Sequence, residues 1–194
     1  VATTNGTLVI DGVTLSINRT IKVGRHPFGV LLDSEERRLF VANVESNDVT
    51  VIDLDKFGII ATVPVGERPY AMALAGSGDI YVTNQYDSTV SVINGQDYQV
   101  KKVIPVGQYP EGIATDSAGK RVWVANWFDN SVSVIDIDQL KVGPREDLLY
   151  LGSRKNKALE IVELEFIKNI NTFGSPFKGP ADAPVVIAVF DDFE

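Results

Sequence analysis

Apolar and polar positions alternate in three short runs of the chain: Val49-Thr50-Val51-Ile52-Asp53, Val90-Ser91-Val92-Ile93-Asn94 and Val132-Ser133-Val134-Ile135-Asp136. A period of two predicts strands that turn one face inward. The runs stand 41 and then 42 residues apart, and three other markers keep the same step. Val-Gly recurs at Val23-Gly24, Val65-Gly66 and Val106-Gly107, and a proline follows each glycine at Pro27, Pro69 and Pro110. An asparagine ends an apolar run at Asn43, Asn84 and Asn126. Four markers in one register establish an internal repeat. The first full unit holds four β-rich runs, about Phe28–Leu32, Arg38–Ala42, Val49–Asp53 and Ile59–Val65, separated by turn residues. Proline opens a strand where no ladder N–H is needed, and Asn or Asp bonds to nearby backbone in turns. No unit has room for a helix, which excludes leucine-rich and helical repeats.

A period near 41 with four strands per unit is that of four-stranded propeller blades. Thr7-Leu8-Val9-Ile10-Asp11 matches the third strand of a blade, so the chain opens with half a blade at 5–19. Blades follow at 20–61, 62–102 and 103–140, and after Asp136 the expected fourth strand and Val-Gly do not arrive on schedule. The fold class expected is all-β, an incomplete β-propeller of about three and a half four-stranded blades, with a short α/β, thioredoxin-like fragment at the C-terminus. Propellers close with about four to eight blades. An open arc exposes blade faces and strand edges. The expectation is therefore that two chains complete one ring, or that a further part of the protein does.

Ile80-Tyr81-Val82-Thr83-Asn84 contains the Tyr-Val-Thr-Asn signature, with Phe40-Val41-Ala42-Asn43 and Trp123-Val124-Ala125-Asn126 as variants. Over about residues 5–140 the chain resembles the YVTN β-propeller repeat proteins. The resemblance implies an extracytoplasmic prokaryotic protein, periplasmic or extracellular. The first residues, Val1 to Thr7, hold neither an initiator methionine nor a signal peptide, which suits a mature end left by signal cleavage and equally an engineered boundary. Such propellers occur in surface proteins and resemble those of some periplasmic dehydrogenases. Fold alone does not carry an activity across.

From about Lys141 the composition changes. Residues 141–172 read as a linker in which Leu159, Val162, Phe166 and Ile170 suit a helix face, whereas Val162, Leu164 and Phe166 suit a strand. The stretch from Gly174-Ser175-Pro176 through Gly179-Pro180 and Ala183-Pro184 to Val185–Phe190 and Asp191-Asp192-Phe193-Glu194 resembles the opening of DsbA-type thiol–disulfide oxidoreductases, over residues 173–194. In that family a redox cysteine would follow at the next position. The resemblance implies a redox helix beginning there with a cysteine; a selenocysteine codon read as stop is one expectation for the ending at Glu194, and an engineered boundary, proteolysis or a degenerate gene is the other. No redox residue is carried over onto this chain.

Composition narrows the function classes. The 194 residues are 44% hydrophobic and 23% charged, with no stretch near the roughly 20 apolar residues of a membrane-spanning helix. A net charge of −8 argues against nucleic acid or anionic lipid as partner. The absence of cysteine removes thiolate chemistry and Cys-based metal sites. Asp136-Ile137-Asp138 starts like a calcium loop, but Leu140 occupies the next ligand position. His26, the single histidine, stands beside Arg25 with no nucleophile at recognisable spacing. No catalytic residue, cofactor or metal is expected.

In a blade, the loop between consecutive blades and the loop from second to third strand emerge on one face. That face is expected to carry Arg25-His26, Glu67-Arg68 and Gln108-Tyr109 from one loop set. The other set offers Val44-Glu45-Ser46, Gln85-Tyr86-Asp87 and Trp127-Phe128-Asp129. Arg25, His26, Arg68, Tyr86, Tyr109, Trp127 and Phe128 form the candidate partner-binding face, for a protein or a glycan. The competing expectation is that these aromatics pack between neighbouring blades. The functional expectation is a binding or scaffolding module. The alternatives are a propeller-fused thiol- or selenol-disulfide oxidoreductase and the propeller subunit of a periplasmic dehydrogenase.

Overall fold

The computed structural model describes residues 2–3, 6–10, 16–116, 119–143, 149–153 and 158–162, and among them all regular structure is strand. The resemblance at 173–194 lies outside the described residues. The first sheet has three strands, β1 (Ala2–Thr3), β2 (Gly6–Ile10) and β3 (Ile17–Ile21). Three four-stranded sheets follow. The second sheet is β4 (Pro27–Asp33), β5 (Arg38–Asn43), β6 (Asp48–Asp53) and β7 (Gly58–Pro64). The third is β8 (Pro69–Leu74), β9 (Ile80–Asn84), β10 (Thr89–Ile93) and β11 (Val100–Pro105). The fourth is β12 (Pro110–Thr115), β13 (Arg121–Asn126), β14 (Ser131–Asp136) and β15 (Lys141–Val142). A hairpin of β16 (Leu149–Ser153) and β17 (Ala158–Val162) closes the list. Each sheet is an antiparallel meander in sequence order, so the chain builds a partial β-propeller. A repeat of fixed period leaves its phase open; hydrogen bonding sets it, so each of the three four-stranded sheets begins at the proline.

Turn chemistry explains why the reversals recur. The second-to-third-strand turns end on Asn47, Ser88 and Asn130, at φ 56°, 53° and 49°. The next turns end on Phe57, Tyr98 and Leu140, at φ 53°, 59° and 49°. A left-handed residue closing a short hairpin loop is a standard way to match strand twist. The Asp or Asn that ends each alternating run holds the turn. Asp53 Oδ1 accepts from the N–H groups of Asp55 and Lys56 at 2.8 Å each, Asn94 Oδ1 from Gln96 N–H at 2.8 Å, and Asp136 Oδ1 from Gln139 N–H at 2.9 Å.

That same turn corrects one expectation. The fourth strand of the last blade does arrive, as β15, and Gly143 N–H donates to Val134 O at 2.9 Å. It carries two residues before Gly143-Pro144, and proline has no N–H with which to extend the ladder. Beyond it, Val162 lies in a strand of the β16–β17 hairpin.

The core lies between sheets. Phe40 on β5 packs with Val49, Val51 and Val63 of its own sheet and with Ile80, Val82 and Ile93 of the next. Tyr81, its repeat equivalent on β9, packs with Val90, Val92 and Ile104 and with Val122, Val124 and Ile135 of the fourth sheet. Val41 turns the other way and joins Ile21 and Ile52. Successive residues of a strand face opposite sides. The middle of each central strand therefore serves two neighbours and is apolar on both faces, as at Phe40-Val41. The first strands β4, β8 and β12 lie side by side. Gly29 sits so close to the Tyr70 carbonyl that a Cβ has no space there. A buried ion pair adds to the junction: Arg38 donates to Asp33 Oδ2 at 2.6 Å and reaches the Gly95 carbonyl of the third sheet.

Candidate binding face

Three equivalent loop pairs are zipped by backbone bonds. His26 O accepts from Val44 N–H at 2.9 Å, Arg68 O from Gln85 N–H at 3.1 Å, and Tyr109 O from Trp127 N–H at 3.0 Å. A side chain caps each facing loop: Ser46 Oγ accepts from Arg25 N–H at 3.0 Å, Asp87 Oδ2 from Glu67 N–H at 2.7 Å, and Asp129 Oδ2 from Gln108 N–H at 2.9 Å. Beneath each pair the repeated asparagine is buried. Asn43 Nδ2 donates to Asp48 and Thr50, Asn84 Nδ2 to Thr89 and Ser91, and Asn126 Nδ2 to Ser131 and Ser133, all within 3.0 Å. The glycine of each Val-Gly lies against that carboxamide. A Cβ on Gly24, Gly66 or Gly107 would stand 2.6–2.7 Å from the asparagine Cγ. The Val-Gly and Asn markers are two halves of one contact.

The loop geometry places His26, Arg68 and Tyr109 in the left-handed region, at φ 52°, 54° and 56°. Opposite them stand the equivalent residues Glu45, Tyr86 and Phe128. One backbone seat therefore holds three different pairs. In the second sheet, His26 Nδ1 lies 3.5 Å from the Glu45 carboxylate. In the third, Arg68 lies 4.7 Å above the Tyr86 ring and donates to its hydroxyl at 2.6 Å. In the fourth, Tyr109 and Phe128 meet ring to ring, with centroids 5.5 Å apart.

Trp127 joins that last pair, 5.5 Å from Tyr109 and 5.2 Å from Phe128. Tyr86 reaches Tyr109 across the junction of two sheets, at 5.7 Å. Arg68, Tyr86, Tyr109, Trp127 and Phe128 thus form one contiguous stripe. Tyr86 is 53% exposed, Trp127 37% and Phe128 62%, while Tyr109 is half-buried. Burial, with the neighbouring Tyr86, pushes the Tyr109 hydroxyl above the ordinary tyrosine range. Arg25 and His26 are exposed on the second sheet's loops, where Arg25 donates to Glu45 O at 3.0 Å. His26 reaches Glu45 in the same pair of loops, and the ring contacts that build the stripe run between Tyr86, Tyr109, Trp127 and Phe128.

Two residues that position the stripe escape a reading of the loops alone. Asn47 Oδ1 accepts from Arg68 N–H at 3.0 Å, from the preceding sheet. Glu111 accepts from Gln85 Nε2 at 3.0 Å, from the following one. Glu111 occupies the repeat position of Phe28 and Tyr70, and a carboxylate in place of two aromatics was the available signal. No group of three or more His, Cys, Asp or Glu residues is placed to hold a metal among the described residues, and no helix there is long and apolar enough to cross a membrane.

No family model matches the chain, and no curated protein does. Solved structures do. A hydrazine synthase of Kuenenia stuttgartiensis is similar at 28% identity and a TM-score of 0.59, over 70% of this chain and 38% of that one. The β-propeller domain of Swd1 (Cps50) from Myceliophthora thermophila matches at 16% identity and a TM-score of 0.56, over 70% and 40%. U3-55K matches at 11% identity and a TM-score of 0.58, over 66% and 40%. The chain spans about two-fifths of the length of these structures.

Proposed function

We propose that the chain contributes part of a β-propeller that binds or scaffolds a partner outside the cytoplasm, through the loop face that carries the stripe. The observation that carries this reading is the stripe itself. Four aromatic rings and an arginine converge, mostly exposed, at seats whose backbone is the same in every blade while their side chains differ. Exposed contiguous aromatics are the usual energetic centre of a recognition surface. The extracytoplasmic setting rests on the Tyr-Val-Thr-Asn resemblance. A protein segment and a glycan are both ligands of suitable chemistry.

The test is a set of defined peptides and oligosaccharides, probed with the natural chain and with a Trp127→Ala, Phe128→Ala double variant. Binding to at least one class, weakened tenfold or more in the variant, is expected. The same binding profile for both proteins would refute the assignment of the face.

A second reading, the propeller portion of an enzyme whose chemistry lies elsewhere, draws on the likeness to hydrazine synthase, of which the chain matches 38%. It needs a cofactor-bearing partner or domain.

A further inference from the structure

We infer that the Tyr109–Trp127–Phe128 end of the stripe takes a lysine or arginine side chain from a basic protein segment. This rests on the reading of the loop face as a binding surface and adds the chemistry of what binds. The third sheet already contains such a contact, since the Arg68 guanidinium lies 4.7 Å above the Tyr86 ring. One blade on, the seat of Arg68 is held by Tyr109 and that of Tyr86 by Phe128. The ring position is kept there and the cation is not. Phe128 is 62% exposed, so its ring is within reach of a cation from another chain.

Charge favours the same ligand. Glu67, Asp87 and Asp129 stand next to Arg68, Tyr86 and Phe128 in the chain and Glu111 stands two residues after Tyr109, while Arg68 already lies on Tyr86. Asp87 Oδ2 and Asp129 Oδ2 each accept from a facing backbone N–H, and Asp129 Oδ1 also accepts from Ser131 Oγ at 2.6 Å. The chain as a whole carries −8. A negative field beside ring faces attracts cations and repels phosphates and acidic segments. Ring geometry weighs against a sugar. Neighbouring planes are tilted by 45°, 48° and 56°, and Trp127 meets Phe128 at 85°. No flat platform results for a pyranose face, whereas a cation needs only one ring at a time.

The experiment titrates the 194-residue chain with octalysine, and in parallel with an uncharged glucan hexasaccharide. The readout is the fluorescence of Trp127, the exposed one of the two tryptophans. Two variants separate the site from general attraction to an acidic protein. Phe128→Ala removes the ring at an exposed position. Tyr109→Arg places an internal cation where Arg68 stands one blade earlier, in a left-handed seat that already accepts arginine.

Saturable octalysine binding is expected, weakened by salt, about two- to fivefold weaker in Phe128→Ala and lost in Tyr109→Arg. Thermal midpoints of both variants report that the fold is kept. Equal octalysine binding by all three proteins overturns the inference. Hexasaccharide binding without octalysine binding overturns the cation and leaves the face. Binding of neither overturns both.

Discussion

Each buried asparagine carboxamide spends both N–H groups on side-chain acceptors of the third strand, at 2.6–3.0 Å. Asn84→Ala removes two such bonds and strands the Thr89 and Ser91 hydroxyls, so a loss of about 2–3 kcal/mol is expected in urea unfolding. Tyr81 is the opposite case. Its hydroxyl is buried and accepts or donates no hydrogen bond among the described residues, and the equivalent residue Phe40 has no hydroxyl at all. Tyr81→Phe is expected to be neutral or to stabilise by up to about 1 kcal/mol. Burial, reinforced by the carboxylates of Asp79, Asp136 and Asp138, pushes the Tyr81 hydroxyl up to about 12 from 10.0. The neutral hydroxyl is thus favoured in the folded state. Its contribution is full below about pH 10 and is lost as pH rises towards 12. Unfolding followed across that window shows a steeper alkaline loss in the natural chain than in Tyr81→Phe.

At the scale of the elements, the strands were legible where pattern and turn chemistry agreed. The alternating runs became β6, β10 and β14, with Asp53, Asn94 and Asp136 closing their turns. Two things were hidden. A two-residue strand such as β15 shows no periodicity, and the meeting of Tyr109 with Phe128 depends on loops that only the fold brings together. The loop positions themselves were legible because the repeat fixes their place in the blade. Asp33 and Arg38 are not a marker of every unit, since Ala75 and Asp79 hold their places in the third sheet while Asp116 and Arg121 keep them in the fourth. Burial alone would raise the Asp33 carboxyl, but the Arg38 guanidinium and the Glu36 N–H outweigh it and hold it below the ordinary value. The pair's stabilisation is therefore complete above about pH 4 and is lost as pH falls through the lowered value. Arg38→Met leaves Asp33 buried without its partner and is expected to cost about 3 kcal/mol at neutral pH. The gap between the variant and the natural chain narrows as pH falls through the lowered Asp33 value, as chemical denaturation at neutral and at acid pH would show.

At the scale of the whole molecule, β4 carries exposed apolar side chains among the described residues, although the Phe28 ring stacks on Tyr70 at 4.2 Å. Phe28, Val30 and Leu32 on β4 are 47%, 43% and 57% exposed, whereas Met72 and Leu74, at the places of Val30 and Leu32 one blade on, pack into an inter-sheet cluster. A repeat-built surface fits the surface that covers its equivalents elsewhere in the same chain. We propose a second copy as the occupant, which completes the ring. Light scattering at micromolar concentration is expected to give a dimer, and Leu32→Glu a monomer. A monodisperse monomer of the natural chain would set the second copy aside.

The siting of apolar residues between sheets has a kinetic consequence. Opening the first or fourth sheet breaks one of these interfaces, but freeing the sheet of β4–β7 or that of β8–β11 breaks two. Deuterium uptake under native conditions should therefore proceed inward, with the amides of β5, β6, β9 and β10 exchanging last. The molecule frays from its flanks and keeps the sheet that carries Tyr86 closed until global unfolding.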